Sequence, residues 1–523
     1  MSSPSVVSRL ARTEAPTRPP GRTGGLAALL GLFGFLVSVA GSWQPSFWGD
    51  EAASVMSAER SIPGLFALLG NVDAVHGAYY LVLHVWIDLF GSSELSTRAL
   101  SALAVGVATA GTFALARTLI STRVGVIAAL VFAVLPRVTY MGAEARSTAI
   151  ATAVAVWLTV LLVRLLRDRD LDAGTRFALW GGYSLLLAAG IYFFLYVLLL
   201  VPVLGLAVLL LTPNAGARMA SLRAWVLATA AGLALAAPVM LASIEQRDQI
   251  AFIGRRPPIA VLTAAVYQWF GNTSLAILAW GLVLVAVVLV FAGLVVTGRG
   301  RFAVPMVESA GPNTRAALAV MLAWMILPSA ALLIGTQLIT PMYSLRYLSV
   351  CTPAAAIAIA VGIACLRPRW TQAAALVLIA ALALPSYLDQ RSEFGKNYGA
   401  DLRQAAEVVR AGAQPGDAVV FDESVRPSRK PRLALHVYPD AFAGLNDVTL
   451  GRSFDSTDAL WDVTLPLADV TDRLTGTDRV WVLQYEGSGE NRRGDDIRSL
   501  QQLGFTVTSS TLLNRTLIIE MAR

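Results

Sequence analysis

Long apolar runs separated by short polar stretches fill the first three quarters of the chain, and the alternation stops near residue 388. At about 1.5 Å of rise per residue, a run of roughly 20 apolar residues crosses a bilayer as a helix. Read with a window of that size, the chain has eleven candidate spans, near 25–43, 96–118, 122–138, 147–166, 176–192, 193–211, 222–243, 274–296, 316–336, 347–366 and 371–387. The loop 44–95 between the first two holds SIPGLFALLG (61–70) and AYYLVLHVWIDLFG (78–91), which are apolar on one side and too short to span. Both are expected to be helices lying at the membrane interface. Trp43, Phe47, Trp48, Tyr79, Tyr80 and Trp86 suit that depth as an aromatic belt.

After residue 388 the pattern changes period. Leu402, Ala405, Ala406 and Val409 recur at helical spacing, a PGD turn follows, and AVVF, RVWVLQY (479–485) and TLIIEMA (516–522) read as short strands. The expected organisation is a disordered cytoplasmic tail (1–24), a transmembrane catalytic domain (25–388) and a soluble α/β domain (389–523). The GSGE stretch (487–490) does not follow a strand and open a helix, so it does not read as a phosphate loop.

Composition agrees with a polytopic membrane protein: 56% of residues are hydrophobic, 14% are charged and the mean hydropathy is +0.63. Soluble chains carry roughly 25% charged residues. Residues 1–388 hold 25 basic and 14 acidic side chains, whereas 389–523 hold 16 and 20. The basic residues of the first part are all arginines in short clusters between apolar runs, a pattern that sets topology rather than binding nucleic acid. The first apolar run follows Arg9, Arg12, Arg18 and Arg22 without a clear small-x-small cleavage site, and reads as an uncleaved span with a cytoplasmic N terminus. Alternation from there puts Arg123, RLLRDRDLDAGTR (164–176), Arg218 with Arg223, Arg299/Arg301/Arg315 and Arg367/Arg369 in the cytoplasm. The loops 44–95, 136–146, 244–273 and 340–347 and the C-terminal domain are then extracytoplasmic, and the protein is a multi-pass plasma-membrane protein. Cys351 and Cys365 fall 14 residues apart on one predicted helix, too far for a mutual disulfide.

Charges at the extracytoplasmic ends of spans are expensive and therefore candidates for function. Asp50 and Glu51 follow the first span, Asp73 and His76 share its outer loop, and Glu144 with Arg146 open the fourth span. Each is also compatible with an ordinary interfacial charge, and Glu144 is a ready ion-pair partner for Arg146.

Four segments carry a resemblance: FWGDEAASV (47–55), DAVHGAYYLVLHVWIDLFGSSELSTRALSAL (73–103), YMGAEARSTAI (140–150) and SLRYLSVCTPA (344–354). In this order, over about residues 25–390, the chain resembles the GT-C superfamily of polytopic glycosyltransferases. Within it, the likeness is to the family 39 type, the dolichyl- or polyprenyl-phosphate-mannose mannosyltransferases and their bacterial lipid-modifying relatives. His76-Gly77-Ala78-Tyr79-Tyr80 lacks the two prolines that the family carries after its histidine, and Leu345 stands before Arg346 where relatives often have proline.

The resemblance implies a polytopic α-helical GT-C fold with about 11 transmembrane helices and a C-terminal extracytoplasmic α/β domain. It implies transfer of a sugar, mannose by family default, from a polyprenyl-phosphate donor to an acceptor hydroxyl of a glycolipid, cell-wall glycan or protein. Arabinofuranose and an aminosugar are the alternatives, and a non-enzymatic transporter of a lipid-linked saccharide is a further alternative. Inversion at the anomeric carbon needs one carboxylate base and cationic relief at the leaving phosphate. Asp50 matches the family base, and Glu51 is expected to orient it, to hold a cation or to complete the motif. Arg146 and Arg346 are the expected phosphate ligands, since guanidinium offers a fork to phosphate oxygens. Glu144, His76, Tyr79, Tyr80 and Tyr347 are expected around the substrate. No cofactor is certain from the sequence. A divalent cation, Mg²⁺, Mn²⁺ or Ca²⁺, remains open with Asp50, Glu51, Asp73 and His76 as candidate ligands, although no fixed ligand spacing is present.

Overall fold

The computed structural model describes residues 21–168, 170–212, 214–247, 260–291, 314–339, 341–397, 399–486 and 495–523. Most of the expected N-terminal tail, GSGE (487–490), Arg299, Arg301 and part of the loop 244–273 (248–259) lie outside these residues.

The helical part begins with α1 (Gly21–Val39), then places three short helices in the first long connection: α2 (Gly49–Ala58), α3 (Ile62–Asn71) and α4 (Gly77–Phe90). The two interfacial helices expected at 61–70 and 78–91 are α3 and α4. Helix α2, which carries the carboxylate pair, has no strong periodic signal. Its first turn holds Asp50 and Glu51, where acidic side chains complement the helix dipole. Ser61 caps α3 by accepting from the Gly64 amide, and Gly91 ends α4 at φ +78°, a backbone region that favours glycine.

The bundle continues with α5 (Glu94–Leu119), α6 (Thr122–Val134), α7 (Pro136–Gly142), α8 (Thr148–Arg167), α9 (Ala173–Phe193), α10 (Val201–Leu211) and α11 (Ala215–Glu245). It closes with α12 (Ala260–Tyr267), α13 (Thr273–Phe291), α14 (Thr314–Leu338), α15 (Thr352–Cys365) and α16 (Trp370–Asp389). Among the described residues, seven helices are long and apolar enough to cross a membrane, or eight if one bent pair is counted as a span. All eleven expected segments are helical, but those at 25–43, 176–192 and 193–211 are not among the seven or eight. The segment 193–211 opens as a tight 3₁₀ stretch over Leu195–Leu200 before α10 starts. The bent pair is the third expected span: α6 and α7 meet at 63° around Pro136, where the proline removes an amide and pushes Leu135 out of the helical region.

The segment Leu345–Cys365 is buried from Leu348 to Cys365, with only its first three residues partly exposed. It starts as a 3₁₀ stretch (Leu345–Cys351), so Arg346 enters the protein on the first turn of the most enclosed helix. Cys351 and Cys365 are both free and lie at the two ends of α15.

Beyond α16, α17 (Leu402–Gly412) packs on a five-stranded sheet of order β2-β1-β5-β7-β6. The strands are β1 (Ala418–Phe421), β2 (Asn446–Asp447), β5 (Arg479–Tyr485), β6 (Thr506–Leu512) and β7 (Thr516–Ala522), while β3 (Leu450–Arg452) and β4 (Val463–Thr464) form a separate pair. β1 runs parallel to β2 and β5, and β7 runs antiparallel to β5 and β6. The central strands β1 and β5 read as continuous apolar runs because both of their faces are covered.

The α/β domain does not stand apart from the bundle. Ala52 and Met56 of α2 sit inside the apolar cluster formed by α17, Phe421, Phe442 and Trp481. A Cβ on Gly49 would come within 2.0 Å of the Ser428 carbonyl oxygen, so only glycine permits this approach of α2 to the domain. Tyr438 donates to Glu94 at 2.6 Å, and its hydroxyl accepts from the Phe47 amide at 3.1 Å. Arg60, fully buried, donates to the carbonyls of Thr457 and Ala459 at 2.7 and 2.5 Å.

Candidate active site

The two adjacent carboxylates of α2 lie on different sides of the helix and meet different partners. Asp50 is about a fifth exposed, and its Oδ2 is 2.7 Å from Arg346 Nη1 and 4.0 Å from Arg146 Nη2. Glu51 has no exposure at all. Its Oε1 and Oε2 accept from Arg98 Nε and Nη2 at 2.8 and 2.6 Å, and Oε1 also accepts from the Ala145 amide at 2.9 Å.

Arg98 donates further to the carbonyls of Ser42, Pro45 and Ser46 at 2.6–3.0 Å, so its planar fork is saturated. The Arg98 charge and hydrogen bonds outweigh burial and hold the Glu51 carboxyl below its ordinary range. Both carboxylate oxygens are thus held inside the protein, and Glu51 fixes the connection 42–46 and the loop 143–147 relative to α2.

Arg146, from that loop, donates to the Asp50 carbonyl and to Ser54 Oγ at 3.2 Å each, while Nη2 meets His76 Nε2 at 2.9 Å. Guanidinium has only donors, so Nε2 of His76 accepts and the ring proton sits on Nδ1. Burial first, then the Arg146 and Arg346 charges, push the His76 pKa well below 6.5 and keep the ring neutral. The competing Arg146–Glu144 ion pair is not formed, and Glu144 is 1% exposed with its Oε1 lacking a hydrogen-bond partner among the described residues.

Asp73 adopts φ +61°, and its Oδ2 accepts from the Tyr80 hydroxyl at 2.8 Å. Burial raises the Asp73 pKa, partly countered by Arg146. Tyr79 and Tyr80 are fully buried and serve as packing between α4, α3 and α2 rather than as an exposed lining. Tyr347 stacks on Tyr196 with centroids 4.9 Å apart, and the Arg346 guanidinium lies 5.3 Å from the Trp48 ring and 6.0 Å from the Tyr347 ring.

The structure therefore brings Asp50, Arg146, Arg346 and His76 into one group, with Asp73 and Tyr80 behind it and Tyr347 beside Arg346. The four candidate metal ligands do not converge. Asp50 faces a cation, Glu51 is closed by Arg98, Asp73 accepts from Tyr80, and His76 accepts from Arg146. Among the described residues no three His, Cys, Asp or Glu side chains gather as a metal set.

Several functional positions escaped the sequence reading. Arg98 had a signal, because a charge in the first turns of an apolar span needs a buried partner. Ser54, one helical turn after Asp50, and Trp48 beneath Arg346 had none, since their roles come from where α2 sits against distant elements.

An acidic residue on the short helix α2 and two arginines from later connections belong to a bundle whose architecture is found in solved structures. Residues 78–241 match the family model described as dolichyl-phosphate-mannose-protein mannosyltransferase. The chain superposes on the crystal structure of ArnT from Cupriavidus metallidurans in the apo state with a TM-score of 0.59 at 13% identity, covering 95% of this chain and 98% of that one. The same protein bound to undecaprenyl phosphate gives 0.57 at 14% identity, with coverage of 95% and 98%. No curated protein sequence matches. The chain shares this fold, that of a multi-pass helical membrane protein, and its likeness to the mannosyltransferase family model is confined to residues 78–241.

Proposed function

We propose that this enzyme transfers a sugar from a polyprenyl-phosphate donor to an acceptor hydroxyl, with inversion, using Asp50 as general base and Arg346 with Arg146 as the cradle of the donor phosphate. The observation that carries this reading is the 2.7 Å contact of Arg346 with a partly exposed Asp50, next to a second carboxylate that is fully closed. The ArnT structure bound to undecaprenyl phosphate supports the donor class, and the matched family description supports mannose as the sugar.

In the reaction, the acceptor oxygen attacks the anomeric carbon, the bond from that carbon to the phosphate oxygen breaks, and the lipid phosphate leaves with the electron pair. Asp50 takes the proton of the acceptor hydroxyl as attack proceeds, a contribution of about 10²–10⁴-fold for a positioned base. Without donor, Arg346 is held by Asp50. An incoming phosphate draws the guanidinium away, because two phosphate oxygens meet its fork better than one carboxylate oxygen. Donor binding thereby frees Asp50 for the acceptor. His76, kept neutral, turns Arg146 without adding charge.

The acceptor is a glycan, glycolipid or protein, and a narrow cleft lies between the start of α2 and the α/β domain. Trp48, Gly49, Ser428, Arg429 and Arg515 line it. Arginines gathered at one end of the bundle support an extracytoplasmic site by the positive-inside rule: Arg123 bonds Gln372, Arg167 reaches the carbonyls of Thr118 and Leu119, and Arg367 and Arg369 act on Arg123.

The test uses membranes containing the protein and a radiolabelled polyprenyl-phosphate mannose. Label is expected to move to an acceptor, and Asp50→Asn is expected to stop it with expression intact. Transfer at the wild-type rate by Asp50→Asn would remove Asp50 as the base.

A further inference from the structure

Arg346, the nearer of the two cations to Asp50, sits on a stretch of chain that is not regular α-helix. Leu345–Cys351 is 3₁₀, and Leu348 breaks it with φ −98° and ψ 18°. A guanidinium that must meet a phosphate needs its backbone fixed closely, and an irregular stretch obtains that support from its neighbours.

The support comes at both ends of the stretch. At the leading end, the Tyr343 amide donates to Thr336 Oγ1 on α14 at 2.9 Å, and the Tyr343 hydroxyl donates to Gln268 Oε1 at 3.0 Å. At the trailing end, the Trp269 indole N–H donates to the Leu348 carbonyl at 3.1 Å, at the break itself. Arg346 lies between the two grips. Gln268, Trp269, Tyr343 and Leu348 are each at most 3% exposed, so bulk water does not stand in for these bonds.

Gln268 and Trp269 are themselves fixed. Ser329 Oγ gives its proton to the Met325 carbonyl at 2.7 Å, so towards Gln268 it accepts. That makes Gln268 Nε2 the donor to Ser329 at 3.0 Å and leaves Oε1 for Tyr343. On the backbone side, Arg137 Nε donates to the Gln268 carbonyl at 2.9 Å, and the Arg137 amide donates to the Trp269 carbonyl at 3.2 Å. This amide belongs to the first turn of α7, where no acceptor exists within the helix. The bend at Pro136 thus presents the anchor on which both residues rest.

We propose that Gln268 and Trp269 are positioning residues for Arg346, gripping the segment 343–348 at both ends so that its guanidinium is aimed at the donor phosphate. This rests on the reading of Arg346 as a phosphate ligand.

The experiment uses detergent-solubilised full-length protein and polyprenyl phosphate as the probe. Trp269→Phe and Tyr343→Phe each remove one hydrogen-bonding group and keep an aromatic ring. Both are made in the wild-type chain and in Arg346→Met, and the Kd for polyprenyl phosphate, the donor KM, kcat and the thermal midpoint are measured. In the wild-type background each is expected to raise Kd and KM about fivefold, with a smaller change in kcat. In the Arg346→Met background the same two changes are expected to leave Kd where Arg346→Met alone puts it. A purely structural role would lower the midpoint without moving Kd, or would move Kd equally with and without Arg346, and either result would overturn the proposal. Gln268→Leu and Tyr343→Phe are also combined, and the pair is expected to lose less thermal stability than the two single losses added together. Should Arg346→Met bind polyprenyl phosphate as tightly as the wild type, the donor reading fails. The unfolding cycle still decides whether the grip exists, and additive losses there would overturn it.

Discussion

On one flank of α2, Asp50 keeps about a fifth of its side chain open and meets two arginines, one at 2.7 Å and one at 4.0 Å. On the other flank, Glu51 is sealed by Arg98 in two hydrogen bonds with neither partner exposed. The chemistry of the groups is the same, an acid with arginine; the difference is saturation. Arg98 has every donor satisfied by protein, whereas the Asp50 group has donors that can change partner. A saturated pair is architecture, and an unsaturated one is a site awaiting a ligand.

That contrast can be broken most forcefully at the sealed flank. Arg98→Met leaves the Glu51 carboxylate buried without its cation, which costs about 3–5 kcal/mol, and the folded yield should fall with a clear drop in the thermal midpoint. Replacing both members by apolar residues of similar volume should recover most of the loss, as expected when a buried pair is removed whole. At the open flank, Arg346→Lys retains charge but not the fork, and should weaken lipid-phosphate binding by about 1.5–3 kcal/mol with little change in stability. Inhibition of transfer by free polyprenyl phosphate reads this directly.

The proton inventory sharpens the comparison further. The His76 pKa is pushed well below 6.5, so between the two values the unfolded chain binds a proton that the folded protein refuses. Stability should therefore fall as pH drops through 6.5, by at most about 1.4 kcal/mol per pH unit, and His76→Gln should flatten the slope in unfolding scans. The smallest effect is at the seam with the α/β domain. Tyr438→Phe removes the hydroxyl shared by Glu94 and the Phe47 amide, and should lower stability by about 1 kcal/mol while leaving the transfer rate within twofold.

Apolar run length was enough to locate the long helices of the bundle and both interfacial helices, because burial in lipid leaves few alternatives, but it missed α12, which falls inside the expected loop 244–273. The α17 helix and three sheet strands were legible from period alone. Helix α2 was not, since its buried face is made of small residues and is covered by the α/β domain rather than by lipid. The bend at Pro136 could have been read from the proline, but a window average hides it. Resemblance picked out Asp50, Arg146 and Arg346 as separate motifs. It could not tell that Glu51 turns inward, because that outcome depends on Arg98, which lies 47 positions away along the chain.

The central claim, that one of two adjacent carboxylates does chemistry and the other holds the fold, is tested by measuring transfer rate and thermal midpoint together for Asp50→Asn and Glu51→Gln. The account predicts that Asp50→Asn loses about 10²-fold or more in rate with its midpoint nearly unchanged, while Glu51→Gln loses several degrees and keeps measurable transfer wherever it remains folded. A Glu51→Gln protein that is fully stable and inactive, beside an active Asp50→Asn, would contradict it.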